Sequence, residues 1–242
     1  MTPLTQEFVD SCAIENGFRM RGLEMTRLEV FIDAAFAFAV TMLVISFDNI
    51  PRSYDEVMHA IKSIPAFIVA VAQLVWIWHT HNMWSRRFGL DTAYTVFIST
   101  ALLIVVLIYV YPMRIMAGGM FAWFTSDFLP SNFSSITLDE LRDMFIFLGL
   151  GFMALCLVFV QMYRYAIRLK VELLLNEHEL FVSRTRAVAW TGAAGIGLIC
   201  VVLAITLPTQ LVPYTGFALM LLSLWFPLVR LWRNRSSPGS KG

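Results

Sequence analysis

The chain has 242 residues, of which 58% are hydrophobic and 14% charged, with a formal net charge of +1. Soluble domains carry about 25% charged residues, so this balance excludes an ordinary soluble enzyme and belongs to a membrane protein. Cys12, Cys156 and Cys200 are scattered, two of them in mid-span, with neither a CxxC metal pair nor a disulfide framework.

In chain order, residues 1–26 mix Glu7, Asp10, Glu15 and Glu24 with Arg19 and Arg21 and hold no uninterrupted apolar core. They are expected to form a cytoplasmic N-terminal segment, with no signal peptide before the first span. Six apolar stretches then follow, at 31–47, 64–78, 94–113, 144–163, 187–207 and 211–229. A span needs about 20 residues, which the first stretch reaches if its ends tilt or snorkel. The second holds Gln73 after Pro65 and is expected to begin as an amphipathic run from Tyr54 and to continue past Trp78. The connection 117–140 is rich in Phe and Trp, which suits a segment lying in the interface, and contains the triplet Asn132-Phe133-Ser134. The connection 164–186 reads as a cytoplasmic extension of the fourth span. Residues 27–232 thus form one six-span membrane domain, and 233–242 a basic flexible tail.

Basic residues favour alternate connections. Arg19, Arg21 and Arg27 precede the first span, Arg86 and Arg87 follow the second, and Arg164, Arg168, Lys170, Arg184 and Arg186 follow the fourth. Arg230, Arg233, Arg235 and Lys241 follow the sixth, whereas 117–141 holds neither Lys nor Arg. The positive-inside rule then puts both termini in the cytoplasm.

The first helix, RLEVFIDAAFAFAVTMLVISF at 27–47, carries most of the information. At 100° per residue, Phe31, Ala34, Phe38, Thr41, Met42 and Ile45 share a stripe, while Asp33 lies about 140° from Phe38 and must face another helix. A carboxylate at lipid depth costs about 2.5–3.5 kcal/mol on insertion scales and needs a partner. Arg27 and the histidines His79 and His81, at the end of the second span, are the polar candidates. The two histidines point about 160° apart on a helix, so only one can reach Asp33. On geometry alone the stripe is either bundle core or the lining of an axis. A metal at the histidines lacks a third convergent ligand, and no Ser-His-Asp arrangement, phosphate loop or nucleic-acid surface is evident.

The sequence Arg27-x-x-x-Phe31-x-Asp33 opening the first span, with Trp-x-x-His closing the second, resembles the transmembrane protein 175 potassium channel family. There the motif reads Arg-x-x-x-Phe-Ser-Asp; here Ile32 stands in place of the Ser. The resemblance is strongest over about the first 85 residues. Bacterial members are single-repeat, six-span chains that assemble as tetramers, so it implies an all-α homotetramer around a central pore lined by the first helix. The constriction, seven residues after the motif Phe, falls on Phe38 where the family has Ile or Leu, and the threonine three residues on is present as Thr41. Met42 and Ile45 follow as further apolar rings. Arg27, Phe31, Asp33 and His79 or His81 would form a structural polar lock beside it. The Trp-x-x-His element matches as Trp76…His79 or as Trp78…His81.

The expected function is therefore a potassium-preferring cation channel, with no cofactor and no enzymatic chemistry. Its partners would be K+ or other monovalent cations, membrane lipid and copies of itself, but not nucleic acid. Its location would be a multi-pass position in a prokaryotic inner membrane. Two rivals differ in class. A secondary transporter would use broken spans, to which Gly149, Gly151, Gly192, Gly195 and Gly197 lend some support, but no inverted repeat is visible. A non-conducting scaffold or sensor would keep the stripe as core. Oligomeric state separates these.

Overall fold

Lipid offers no hydrogen-bond partners, so a chain this apolar must satisfy its backbone within helices. The computed structural model describes residues 4–22, 24–45, 52–131 and 136–236; Asn132–Ser134 and the tail from 237 lie outside them. Among the described residues the regular structure is helical apart from one short hairpin. A one-and-a-half-turn helix, α1 (Gln6–Ser11), leads into strands β1 (Ile14–Glu15) and β2 (Phe18–Arg19), paired antiparallel. These are followed by α2 (Arg27–Ile45), α3 (Tyr54–Lys62), α4 (Ile64–Phe88), α5 (Ala93–Phe124), α6 (Leu138–Arg168) and α7 (Glu177–Thr206). A 3-10 helix (Thr209–Met220) runs into α8 (Leu221–Ser236).

Among the described residues, five stretches are long and apolar enough to cross a membrane: Tyr54–Phe88, Ala93–Phe124, Leu138–Arg168, Glu177–Thr206 and Thr209–Arg233. They cover the last five apolar stretches of the sequence, short only of Leu207 at the end of the fifth. The described part of α2, 19 residues, rises about 28 Å, close to the thickness of a hydrocarbon core.

Local chemistry explains the boundaries. Ser53 caps α3 through Glu56 N–H, and Pro65 sits in the first turn of α4, where its missing N–H costs nothing but its ring separates the two helices. The amphipathic run from Tyr54 is therefore a helix of its own. Thr137 with Glu140, and Asn176 with Glu179, form capping boxes that start α6 and α7. The connection 164–186 is not one extension of the fourth span. It is divided: α6 stops at Arg168, Leu174 takes a positive φ of 49°, and α7 restarts at Glu177. In 117–140, α5 continues to Phe124 before the chain turns, so the aromatic residues there partly belong to a helix.

α6 and α7 form the central pair, α5 packs on α6, α4 on α5, and the 3-10 helix and α8 close against α7. α2 sits at the rim, packed on α4 and α5. Gly149 and Gly197 let α6 and α7 approach closely, since a Cβ on Gly149 would lie 2.6 Å from Val201 Cγ2 and 3.1 Å from the Gly197 carbonyl. Helix contact accounts for these two glycines without a transport hinge. Cys12, Cys156 and Cys200 are buried and unpaired.

The N-terminal segment is tied under the basic end of this bundle. Arg21 and Glu179 form a fully buried ion pair at 2.7 Å. Glu179 also accepts from Arg19 N–H (2.9 Å) and Asn176 N–H (3.1 Å), while Arg21 Nε donates to the Leu173 carbonyl (2.8 Å). The chain then crosses the end of α4. Gly22 N–H donates to the Arg86 carbonyl, and a Cβ on Gly22 would stand 2.7 Å from the Ser85 carbonyl and 3.0 Å from Gly89 Cα. Gly89 caps α4 in the left-handed region (φ 56°), with room for no Cβ against Arg21.

Removing one partner of a buried pair leaves the other charge uncompensated, at a cost of roughly 3–5 kcal/mol. Arg21→Ala should lower the thermal stability of the detergent-solubilised protein by that order, whereas Arg19→Ala, at a half-exposed ion pair with Asp10, should change it by less than about 1 kcal/mol. Unfolding followed by circular dichroism checks both.

Candidate ion-pathway helix

α2 presents two opposed faces. Ile32, Phe36, Ala39 and Leu43 are buried against the bundle, at spacings of four, three and four residues. About 150° away on the wheel lie Arg27, Phe31, Ala34, Phe38 and Thr41, all exposed. Phe31 is 60% and Phe38 55% exposed within the chain. Met42, expected on the stripe, is half-buried at its edge, and the Ile45 side chain lies outside the described residues. The Thr41 hydroxyl donates to the Ala37 carbonyl at 3.0 Å, so its proton is held by the helix and its oxygen keeps lone pairs for another partner.

A polar seam fixes which face turns outward. Trp78 Nε1 of α4 donates to Asp33 Oδ1 at 2.7 Å. One turn earlier on α2, Glu29 does two things at once. It accepts from Thr26 N–H at 2.8 Å while its own N–H bonds Thr26 Oγ1, closing a reciprocal cap, and its other oxygen accepts a short hydrogen bond from Ser85 of α4. Two carboxylates spaced i, i+4 thus meet an indole and a hydroxyl spaced by seven on the antiparallel α4.

The expected lock is redrawn by these contacts. Among the described residues neither histidine hydrogen-bonds Asp33, although His81 lies close enough to feel its charge. His81 is buried and hydrogen-bonds Ser99 of α5 at 3.0 Å, and His79 is exposed. The indole wins because a tryptophan three residues before His81 reaches across to α2 while His81 turns toward α5. This favours Trp78…His81 over Trp76…His79, since Trp76 instead packs on Trp190 and Phe226. Arg27 and Phe31 lie on the exposed face, and among the described residues Arg27 forms no ion pair with Asp33. Glu29, Ser85, Ser99 and Arg114 are contributors that the sequence motifs do not single out. Arg114, buried in α5, donates to the Leu43 carbonyl at 2.8 Å, a cation at the C-terminal end of α2 where the helix dipole favours one. The seven-residue spacing of Trp78 and Ser85 was a usable signal; nothing in a single sequence pairs Arg114 with a carbonyl.

Deleting the indole N–H leaves a carboxylate at membrane depth without its donor, which costs about 1–3 kcal/mol or more for a charged group. Trp78→Phe should lower the thermal stability of the solubilised protein by that order, and Asp33→Asn, which still accepts from the indole, by less. Trp76→Phe, where no N–H bond to α2 is lost, serves as the reference in the same melting experiment.

Comparison with known proteins agrees with this geometry. Residues 27–112, from the start of α2 into α5, match the family described as endosomal/lysosomal potassium channel TMEM175. A protein of Marivirga tractuosa named potassium channel is 30% identical over 236 residues, which span 93% of this chain and 92% of that protein. A crystal structure of a variant of the potassium channel MtTMEM175, in complex with a nanobody fusion protein, superposes with a TM-score of 0.77 at 27% identity, covering 93% of this chain and 98% of that one. A two-faced α2 held by Asp33, and similarity along almost the whole length, lead to one conclusion: this multi-pass membrane protein belongs to the TMEM175 potassium channel family.

Proposed function

We propose that the chain is the subunit of a potassium-preferring cation channel, a homotetramer in which α2 of each copy faces a common axis. The family is one of channels, not enzymes. The observation that carries the reading is the exposed stripe of α2, set opposite its buried face and its polar seam. A single such helix encloses nothing, whereas copies related by rotation enclose a lumen. In this reading α2 is the first of six spans, both termini are cytoplasmic, and the setting is a prokaryotic inner membrane.

Along the axis, Phe38 forms the apolar constriction, with Thr41, Met42 and Ile45 as the rings beyond it. An apolar ring of this kind gates by dewetting, without physical occlusion. The Thr41 oxygens, with their protons committed to Ala37, are oriented to replace water around a cation. Selectivity then comes from ring radius and hydroxyl oxygens, since the chain has no Thr-Val-Gly-Tyr-Gly filter loop. The seam formed by Glu29, Asp33, Trp78 and Ser85 does not touch the ion; it sets the angle at which the stripe meets the axis.

Potassium flux into liposomes tests the assignment. Phe38→Ala should raise cation flux by widening the narrowest ring, and Thr41→Val in that background should weaken discrimination between K+ and Na+. If the ring were packed core instead, Phe38→Ala would destabilise by roughly 3–5 kcal/mol and open no path. A monomer in light scattering, or no flux from either protein, would sink the pore assignment and favour a non-conducting relative.

Topology has its own test. Cysteines placed at Ser126 and at Ser236 in a background lacking Cys12, Cys156 and Cys200 should label oppositely in intact cells, Ser126→Cys from outside and Ser236→Cys only after permeabilisation. The reverse pattern would overturn the cytoplasmic placement of the termini.

A further inference from the structure

A second feature lies away from α2. At the basic end of the bundle, α4, α7 and α8 diverge around a cleft of about 570 Å³. Each of the three helices lines it with arginine nearer the basic end of the bundle and an aromatic ring farther along the helix. On α4 these are Arg87 and Trp76, on α7 Arg186 and Trp190, and on α8 Arg230 with Arg233 and Phe226. With a rise of 1.5 Å per residue, charge and ring are separated by about 16 Å on α4 and about 6–10 Å on the other two. The cleft is therefore cationic at one end and apolar at the other. Its floor is a continuous aromatic cluster, with Trp76–Trp190, Trp76–Phe226 and Trp190–Phe226 centroids 5.3, 5.6 and 5.6 Å apart.

Among the described residues none of these arginines forms an ion pair. Arg87 is only 8% exposed, yet its side chain makes no hydrogen bond or ion pair with the described residues and rests on the Phe18 ring at 5.0 Å. The Nε atoms of Arg87 and Arg186 are both buried without a partner. Arg186 and Arg233 crowd Arg87 with like charge, and the carboxylate that acts on it, Glu15, is already bridged to Arg86 at 3.1 Å. Guanidinium groups gathered in this way are matched by a phosphate, whose oxygens accept paired N–H bonds. A free inorganic anion would leave the aromatic floor unused, whereas a phospholipid fills both ends. Basic pockets between helices on the cytoplasmic side of membrane proteins take such headgroups.

We propose that this cleft binds an anionic phospholipid, its phosphate held by Arg87, Arg186 and Arg233 and one acyl chain lying along Trp76, Trp190 and Phe226. The inference does not depend on where the ion passes. It is tested on the purified full chain in neutral detergent by native mass spectrometry, with cardiolipin, phosphatidylglycerol and phosphatidylcholine of matched chains. Both anionic lipids should be retained over phosphatidylcholine. With each basic contact contributing on the order of a few-fold, Arg186→Gln/Arg233→Gln should reduce retention roughly tenfold or more. Arg233→Gln alone should give a smaller loss, and Arg184→Gln, exposed on α7 outside the cleft, should give none. Equal retention of phosphatidylcholine would overturn the proposal, as would equal losses from Arg184→Gln and the cleft variants. Displacement of the lipid by an equimolar amount of pyrophosphate would assign the cleft to a soluble anion and overturn it too.

Discussion

The rotation of α2 about its own axis governs the rest of the molecule's behaviour. An apolar helix in lipid has little to choose between its faces, because lipid tails and neighbouring side chains are equally apolar. Two carboxylates remove that freedom. Glu29 and Asp33 can be satisfied only where Ser85 and Trp78 wait on α4, so the helix takes one angle. The buried line through Ile32, Phe36, Ala39 and Leu43 follows from that angle, and so does the outward line through Phe31, Phe38 and Thr41. At the far end the Arg114 guanidinium holds the Leu43 carbonyl, so the helix is fixed at both ends by polar contacts and in the middle by packing.

α2 is also anchored through the chain that precedes it. Residues 4–22 are no loose leader: Val9, Phe18 and Met20 are buried, and Arg21 reaches Glu179 at the start of α7. Glu179 serves two tasks, closing the α7 capping box and receiving a cation from a distant segment. The base of the rim helix is thereby coupled to the central helix pair, although the two do not form a major packing contact. Movement of α2 along its axis would strain this link before it disturbed the core.

Much of the architecture was legible because lipid imposes simple rules. The apolar stretches, the amphipathic run from Tyr54 and the two-faced character of α2 follow from hydropathy and helical period, and the structure contains helices at each. The site was legible in part. The wheel angle separates Asp33 from the stripe, but charge alone points to Arg27 and the histidines as its partners, whereas the structure gives it the Trp78 indole. Nothing in the residue itself marks the Trp78 indole as a donor to α2, because a tryptophan near a span end reads as an interface anchor. Glu29 and Ser85 individually carry no signal of their pairing, since neither is unusual in the first or last turn of a helix. Arg27 looked like a natural partner for Asp33, yet six residues put them about 120° apart on the wheel, on different faces. The division of 164–186 depended on a positive φ at Leu174, a residue whose side chain gives no warning of it.

The crossing of Gly22 over Gly89 bears on how this sequence can vary. At that point two backbones meet with less than a methyl group between them, and one of the two also needs a left-handed φ. Neither residue carries a side chain or any chemistry of its own. Both positions are nonetheless closed to substitution for as long as the N-terminal segment passes beneath α4. Among related chains they would stay constant together or change together with a rerouted segment, and that constancy would record the thickness of a backbone, not a role in permeation.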